Sequence, residues 1–212
     1  MGHASEAGFL VLHGLRLKGF AGAPVLAELA GINPTDVDNH LDKLQADGLV
    51  QYRDGRVTGW SLTPSGRAVH ADRCREEVAT SGARELVDLA YRRFLDVNEP
   101  FLVACTDWQL RAGADGVQAI NDHTDAAHDR AVIGRLRDIH GAVLPICADL
   151  SRVMERFEPY AARLQLAIDR VEAGQQEWFT GALIESYHTV WFELHEDMLV
   201  TLGIARDSEA NR

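Results

Sequence analysis

The stretch LDKLQADGLVQYRDGRVTGWSLTPSGR, from Leu41 to Arg67, decides how the chain is read. Leu41 and Leu44 close an apolar helical stripe, and Gly48 offers the left-handed stop that helices favour at their carboxyl ends. Leu49, Val50, Gln51, Tyr52 and Arg53 then read as a strand, Asp54-Gly55 as a hairpin turn, and Arg56 through Leu62 as the returning strand. Thr63-Pro64 starts another helix: the threonine hydroxyl can cap free N–H groups, and proline at the first helical position forfeits no hydrogen bond.

The same logic extends outward. Asn33-Pro34 opens a helix that runs to about Asp47, with Val37, Leu41 and Leu44 on its buried side. Before it lie a helix from Phe9 to Leu17, closed by Lys18-Gly19, and a two-turn helix from Pro24 to Gly31. Three short helices, a tight turn before the third, and a two-stranded hairpin are the elements of a winged helix-turn-helix. The run from Leu41 to Arg67 resembles the recognition helix, wing and "LTPxGR" exit of MarR- and PadR-type bacterial transcriptional regulators. The likeness is confined to the amino-terminal module, about a third of the chain. It implies a DNA-binding domain in a homodimer, with the third helix in the major groove.

Beyond this module the periodicity turns helical, with helices expected near 84–98, 100–111, 124–141, 143–173 (interrupted at Glu158-Pro159) and 175–203. Ala112 to Asp122 reads as a loop, and the residues after Ala205 as a frayed tail. The expected fold is mainly α: a winged helix-turn-helix with a small hairpin wing over residues 1–75, then an all-α dimerisation and effector domain over 76–212.

Composition narrows the function classes. The 212 residues carry 21 Lys+Arg against 32 Asp+Glu, a net charge of −11. Residues 1–75 hold eight of each sign, so the acidic excess belongs entirely to the second part. No apolar run of about 18 residues and no signal-like start occur, so a cytoplasmic protein without membrane partners is expected. Cys74, Cys105 and Cys147 are odd in number and lack CxxC spacing, which argues against a disulfide framework or a cysteine zinc site and for buried thiols.

Opposite the stripe of the third helix lie Thr35, Asp36, Asn39, Asp42, Lys43 and Ala46. Asn39 could pair with adenine, and Lys43 could reach guanine or a phosphate. Asp36, Asp38 and Asp42 oppose contact with a polyanion. Arg53 and Arg56 flank the hairpin turn, where they would meet phosphates or the minor groove; Arg67, and beyond it Arg16 and Lys18, would add rim contacts. The expected DNA-binding set is Thr35, Asn39, Lys43, Arg53, Arg56 and Arg67.

In the last helix Tyr187, Trp191 and Leu194 form one stripe and His188, Phe192 and His195 another, so two sides should be buried. One side can cover its own domain; the other can meet a second subunit or line a pocket. The functional expectation is a pocket for a small organic effector, built from Tyr187, His188, Trp191 and His195 with Trp108 as the opposing wall. Glu185-x-x-His188 lacks the second copy that a carboxylate-bridged metal site requires, and Asp122, His123, Asp125, His128 and Asp129 offer only scattered ligands, so no metal or cofactor is assigned. Nucleophile-elbow, P-loop, dinucleotide-binding and H-E-x-x-H motifs are absent, and catalysis is not expected. The leading expectation is a dimeric regulator that binds double-stranded DNA under effector control. The alternatives are a winged helix used for protein contact and, more weakly, a metal-dependent enzyme in the helical part.

Overall fold

The computed structural model describes residues 2–55, 57–112 and 118–205; Arg56, most of the Ala-Gly-Ala-Asp-Gly run and the tail after Ala205 lie outside them. The amino-terminal module consists of α1 (Ala7–Lys18), α2 (Ala23–Ala30), α3 (Pro34–Ala46), β1 (Val50–Arg53), β2 (Gly59–Leu62) and α4 (Pro64–Ser81). Asn33 caps α3 by accepting from the Thr35 and Asp36 amides at 2.8 and 3.4 Å. The strands pair antiparallel in register Val50↔Leu62 to Arg53↔Gly59. Leu12, Leu15, Leu26, Val37, Leu41 and Leu62 share one apolar core, which is why the spacing in α3 produces a helix with one dry side.

The glycine of the LTPSGR run has a steric reason. A Cβ on Gly66 would sit 1.9 Å from the Leu49 carbonyl oxygen, so only glycine lets α4 pass this close to the start of β1. Thr63 Oγ1 locks the crossing, donating to the Gly48 carbonyl at 2.8 Å and accepting from the Gly66 amide at 3.0 Å. The 75/76 boundary falls inside α4. Val69 packs on the first core while Val78 belongs to a second, so α4 serves both parts.

The second part contains α5 (Arg84–Gln109), β3 (Leu110–Ala112), β4 (Gln118–Ile120), α6 (Ala126–Val153), a 3-10 turn (Glu155–Phe157), α7 (Pro159–Glu172), α8 (Glu177–Thr180) and α9 (Tyr187–Leu202). Three boundaries differ from the sequence reading. Pro100 does not divide α5: the lost N–H bond lies on the exposed side beside Asp96, while Phe101 and Ala104 on the other side are fully buried. The break expected between 141 and 143 is absent as well: α6 continues through Gly141 and Pro145, with Val143 and Ile146 buried beneath them. The expected 175–203 helix is two, because the chain leaves α8 at Gly181 and Ser186 caps a new start at Tyr187, accepting from the Thr189 amide at 3.2 Å. The break expected at Glu158-Pro159 is present, preceded by the 3-10 turn.

The expected loop after α5 holds a second antiparallel pair, Leu110↔Ile120 to Ala112↔Gln118. Its strands are three residues each, too short for an alternating pattern to register in sequence. Among the described residues no helix is long and apolar enough to cross a membrane. The architecture is mainly helical, with two small antiparallel sheets, and α9 is packed against α1, α4, α5, α7 and α8.

Candidate functional site

On α3 the division predicted from spacing is realised. Val37, Leu41 and Leu44 are buried, and Thr35, Asp36, Asp38, Asn39, Asp42 and Lys43 are exposed. Arg53 at the end of β1 and Arg67 in the first turn of α4 are exposed as well. Arg56 lies outside the described residues. Among the described residues Lys43, Arg53 and Arg67 form no ion pair, whereas Arg73 and Arg75, further along α4, pair with Glu6 and Asp72.

Arg16 and Lys18 correct the sequence reading, since neither is available as a rim contact. Both turn toward α9, which presents Glu193, Glu196 and Asp197 at helical spacing of three and four. Arg16 Nη2 meets Glu196 Oε1 at 2.5 Å; Lys18 Nζ lies 2.5 Å from both Glu185 Oε1 and Glu193 Oε1. Arg163 of α7 closes this group from the other side, donating to Glu193 Oε2 at 2.6 Å. The acidic excess of the second part is thus partly neutralised by the first part of the same chain.

Deeper in this seam lies Arg156, whose side chain is 2% exposed. It donates to Thr201 Oγ1 at 2.6 Å, to Asp197 Oδ1 at 3.3 Å, and to Glu77 of α4. Tyr160 donates to Asp197 Oδ2 at 3.0 Å. Burial would raise the Asp197 carboxyl, yet His13 and Arg156 outweigh it and hold the group at about 2. Asp197 therefore remains a buried carboxylate, and the pieces of four helices that touch it are fixed by charge as well as by packing.

His13 of α1 bridges this network to a second cluster. Its Nε2 lies 3.0 Å from Asp197 Oδ1, an electrostatic contact without the alignment of a good hydrogen bond. Its Nδ1 lies 2.9 Å from His70 Nε2, and that same nitrogen is 3.5 Å from Cys74 Sγ. Phe9 stacks on His70 at 5.7 Å and covers the group. Burial, helped by the charges of His13 and Arg16, lowers His70 to about 3, so its ring is neutral. Burial also pushes the Cys74 thiol up to about 12. His13, His70 and Cys74 offer three ligand atoms within 4.8 Å of one another.

The predicted effector residues are distributed differently. Tyr187 and Trp191 are buried in ring-to-ring packing, with Phe101 5.6 Å from Tyr187 and 4.3 Å from Trp191. His195 packs on Phe94 at 5.0 Å, and Trp191 Nε1 donates to Asn98 Oδ1 at 2.9 Å. Trp108 faces Phe179 and His123 instead. Of the five, His188 borders a groove of about 470 Å³, shared with Leu17, Lys18, Leu183, Glu185 and Phe192. The structure thus does not bring the five around one cavity. Most of the apolar circumference of α9 is filled by α1, α4, α5 and α7 of its own chain, while Phe192 of the second stripe stays 43% exposed.

The scattered ligands have structural partners. Asp125 caps α6, His128 meets the Asp107 carbonyl at 2.7 Å, and His123 is 3.0 Å from Asp129. Sequence reasoning missed the seam and the His-His-Cys cluster. The signals were present as His70-x-x-x-Cys74, one face of one helix, and as the acidic face of α9, but their α1 partners are more than 50 residues away. No family model, no curated protein and no solved structure matches this chain.

Proposed function

We propose that the chain is a regulator that binds double-stranded DNA through a winged helix-turn-helix, with α3 reading the major groove and the β1–β2 hairpin serving as the wing. The observation that carries this reading is the freedom of three cations within the amino-terminal module. Lys43, Arg53 and Arg67 are exposed and outside any ion pair among the described residues, on the three elements that such a module turns toward DNA. Arg16, Lys18, Arg73 and Arg75, on other surfaces, are paired within the chain. Thr35 and Asn39 share the exposed face with Lys43, which supports base-edge contact by Asn39 and phosphate contact by the cations.

A palindromic site calls for two copies. The surface that suits a second copy is on α5, where Leu86, Leu89 and Val103 are 53%, 54% and 48% exposed. A small organic effector would reach both parts of the chain in the groove between α1 and the Leu183–Phe192 stretch, beside His188. The test is binding of the purified chain to a duplex covering its own upstream region across a salt series. Affinity should fall linearly with salt on logarithmic axes. Salt-independent or absent binding would reject the proposal.

A second reading is favoured by Asp36, Asp38 and Asp42, which are exposed on or beside the same helix face. It is a protein-contact module whose α3 docks a basic partner. Capture of a basic protein surface, lost in Asp42→Lys and unaffected by duplex DNA, would support it over the first.

A further inference from the structure

We propose that His13, His70 and Cys74 bind one divalent transition-metal ion of the zinc class, through His13 Nδ1, His70 Nε2 and Cys74 Sγ, at the junction of α1, α4 and α9. Metal binding here is independent of whether α3 meets DNA.

Geometry is the first support. A tetrahedral ion with metal–nitrogen bonds of about 2.0–2.1 Å and a metal–sulfur bond of about 2.3 Å holds its nitrogen and sulfur donors about 3.6 Å apart, and two nitrogens about 3.4 Å apart. Cys74 Sγ lies 3.5 Å from His70 Nε2, and His13 Nδ1 lies 2.9 Å from the same nitrogen. The first spacing is already that of a coordinated pair; the second needs to open by about half an ångström, which rotation of the His13 ring can supply. His70 and Cys74 are four residues apart on α4, so one rigid helix presents both.

Convergence is the second. His70 Nε2 is approached by both His13 Nδ1 and Cys74 Sγ, in a site where all three residues are 4% exposed or less. An ion between the three atoms gives each its own bond. Mixed imidazole and thiolate donors select zinc-like ions over calcium or magnesium, which prefer oxygen.

Charge and orientation are the third. Asp197, buried, and Glu77, half-buried and also 3.5 Å from His3, both bond the guanidinium of Arg156. A divalent ion with one thiolate brings a single positive charge close to these carboxylates. Asp197 sits 3.0 Å from His13 Nε2, on the side of the ring away from His70. The carboxylate is within reach to become the outer partner of a carboxylate–histidine–metal arrangement once the His13 ring turns to align its Nε2 with it. Three protein ligands leave one tetrahedral position for water or an exogenous group.

The experiment is titration of the full chain with Co²⁺ alone, read by its visible ligand-field bands and by the thiolate-to-cobalt charge-transfer band, followed by competition with Zn²⁺. Saturation near one ion per chain, with both signals, is expected. Two reciprocal variants locate the thiolate, each checked for native helix content by circular dichroism. Cys105→Ser/Cys147→Ser leaves Cys74 as the only thiol and should keep the charge-transfer band; Cys74→Ser should lose it and bind at least about tenfold more weakly. Whichever variant folds decides the assignment. Absence of the charge-transfer band in the wild type at a stoichiometric excess of Co²⁺ overturns the proposal, as does its persistence in Cys74→Ser or its loss in folded Cys105→Ser/Cys147→Ser.

Discussion

Two sets of basic side chains in the first 75 residues have opposite fates. Arg16 and Lys18, near the end of α1, are spent within the molecule on Glu185, Glu193 and Glu196. Lys43, Arg53 and Arg67, on α3, β1 and α4, are left exposed and outside any ion pair among the described residues. In sequence the two sets look alike, and the net charge of their module, zero, is uninformative about either. The difference teaches that a charge count becomes a statement about partners only after the charges satisfied inside the chain are removed. What remains in the first 75 residues is a smaller positive set, on α3, β1 and the start of α4, beside a helical part whose acidic excess is partly internal lining.

This contrast predicts unequal costs. The largest should come from the buried side. Arg156→Met leaves Asp197 and Glu77 without their guanidinium in a dry seam, and unfolding in urea should show a loss of about 3–5 kcal/mol. Arg53→Ala at the exposed turn should stay within about 0.5 kcal/mol of wild type in the same assay. Comparable losses in the two variants would mean that the seam does not hold the two parts together.

A smaller effect is expected at the start of α3. Asn33→Ala removes the acceptor for the Thr35 and Asp36 amides and should cost about 1 kcal/mol of stability. Because the frayed turn carries Thr35 at the head of the exposed face, DNA affinity should drop although no basic residue has changed. Unaltered affinity would place the contact elsewhere.

The smallest effect concerns the rim of the seam. Burial of Glu185 would raise its carboxyl, but Arg163 and Lys18 outweigh burial and hold it below the usual range. A group depressed in the folded state stabilises above its unfolded pKa, and that contribution disappears as the pH falls through the folded value. Glu185→Gln should therefore be less stable than wild type at neutral pH, with the difference shrinking below about pH 4.5. A difference that is constant with pH would mean that the pairs with Lys18 and Arg163 contribute nothing.

The local parts of this structure were legible in sequence wherever a rule acts over a few residues. Asn33-Pro34 and Thr63-Pro64 marked helix starts, and the Val37–Leu41–Leu44 spacing separated the buried from the exposed side of α3; Asp54-Gly55 marked the chain reversal but not its length, since β2 begins at Gly59 and not at Arg56. Proline misled at Pro100, where burial on the far side of α5 outweighed one lost hydrogen bond. The β3–β4 pair was too short to show a period. The seam was illegible because its bonds join residues such as Lys18 and Glu185, whose proximity depends on how α9 docks and not on any local pattern. The same docking turned the aromatic side of α9 into core, so Tyr187, Trp191 and His195 found partners in Phe94, Phe101 and Tyr91 instead of a ligand cavity.

The most direct test of the account compares salt slopes of DNA binding for wild type, Arg53→Ala, Arg67→Ala and Arg16→Ala on one duplex. Removing a residue that neutralises a phosphate should make the logarithmic slope shallower by about one, so the account predicts that change for Arg53→Ala and Arg67→Ala. For Arg16→Ala it predicts an unchanged slope, since that side chain is already paired with Glu196. A shallower slope for Arg16→Ala with no change for Arg53→Ala and Arg67→Ala, or binding that does not depend on salt at all, would contradict it.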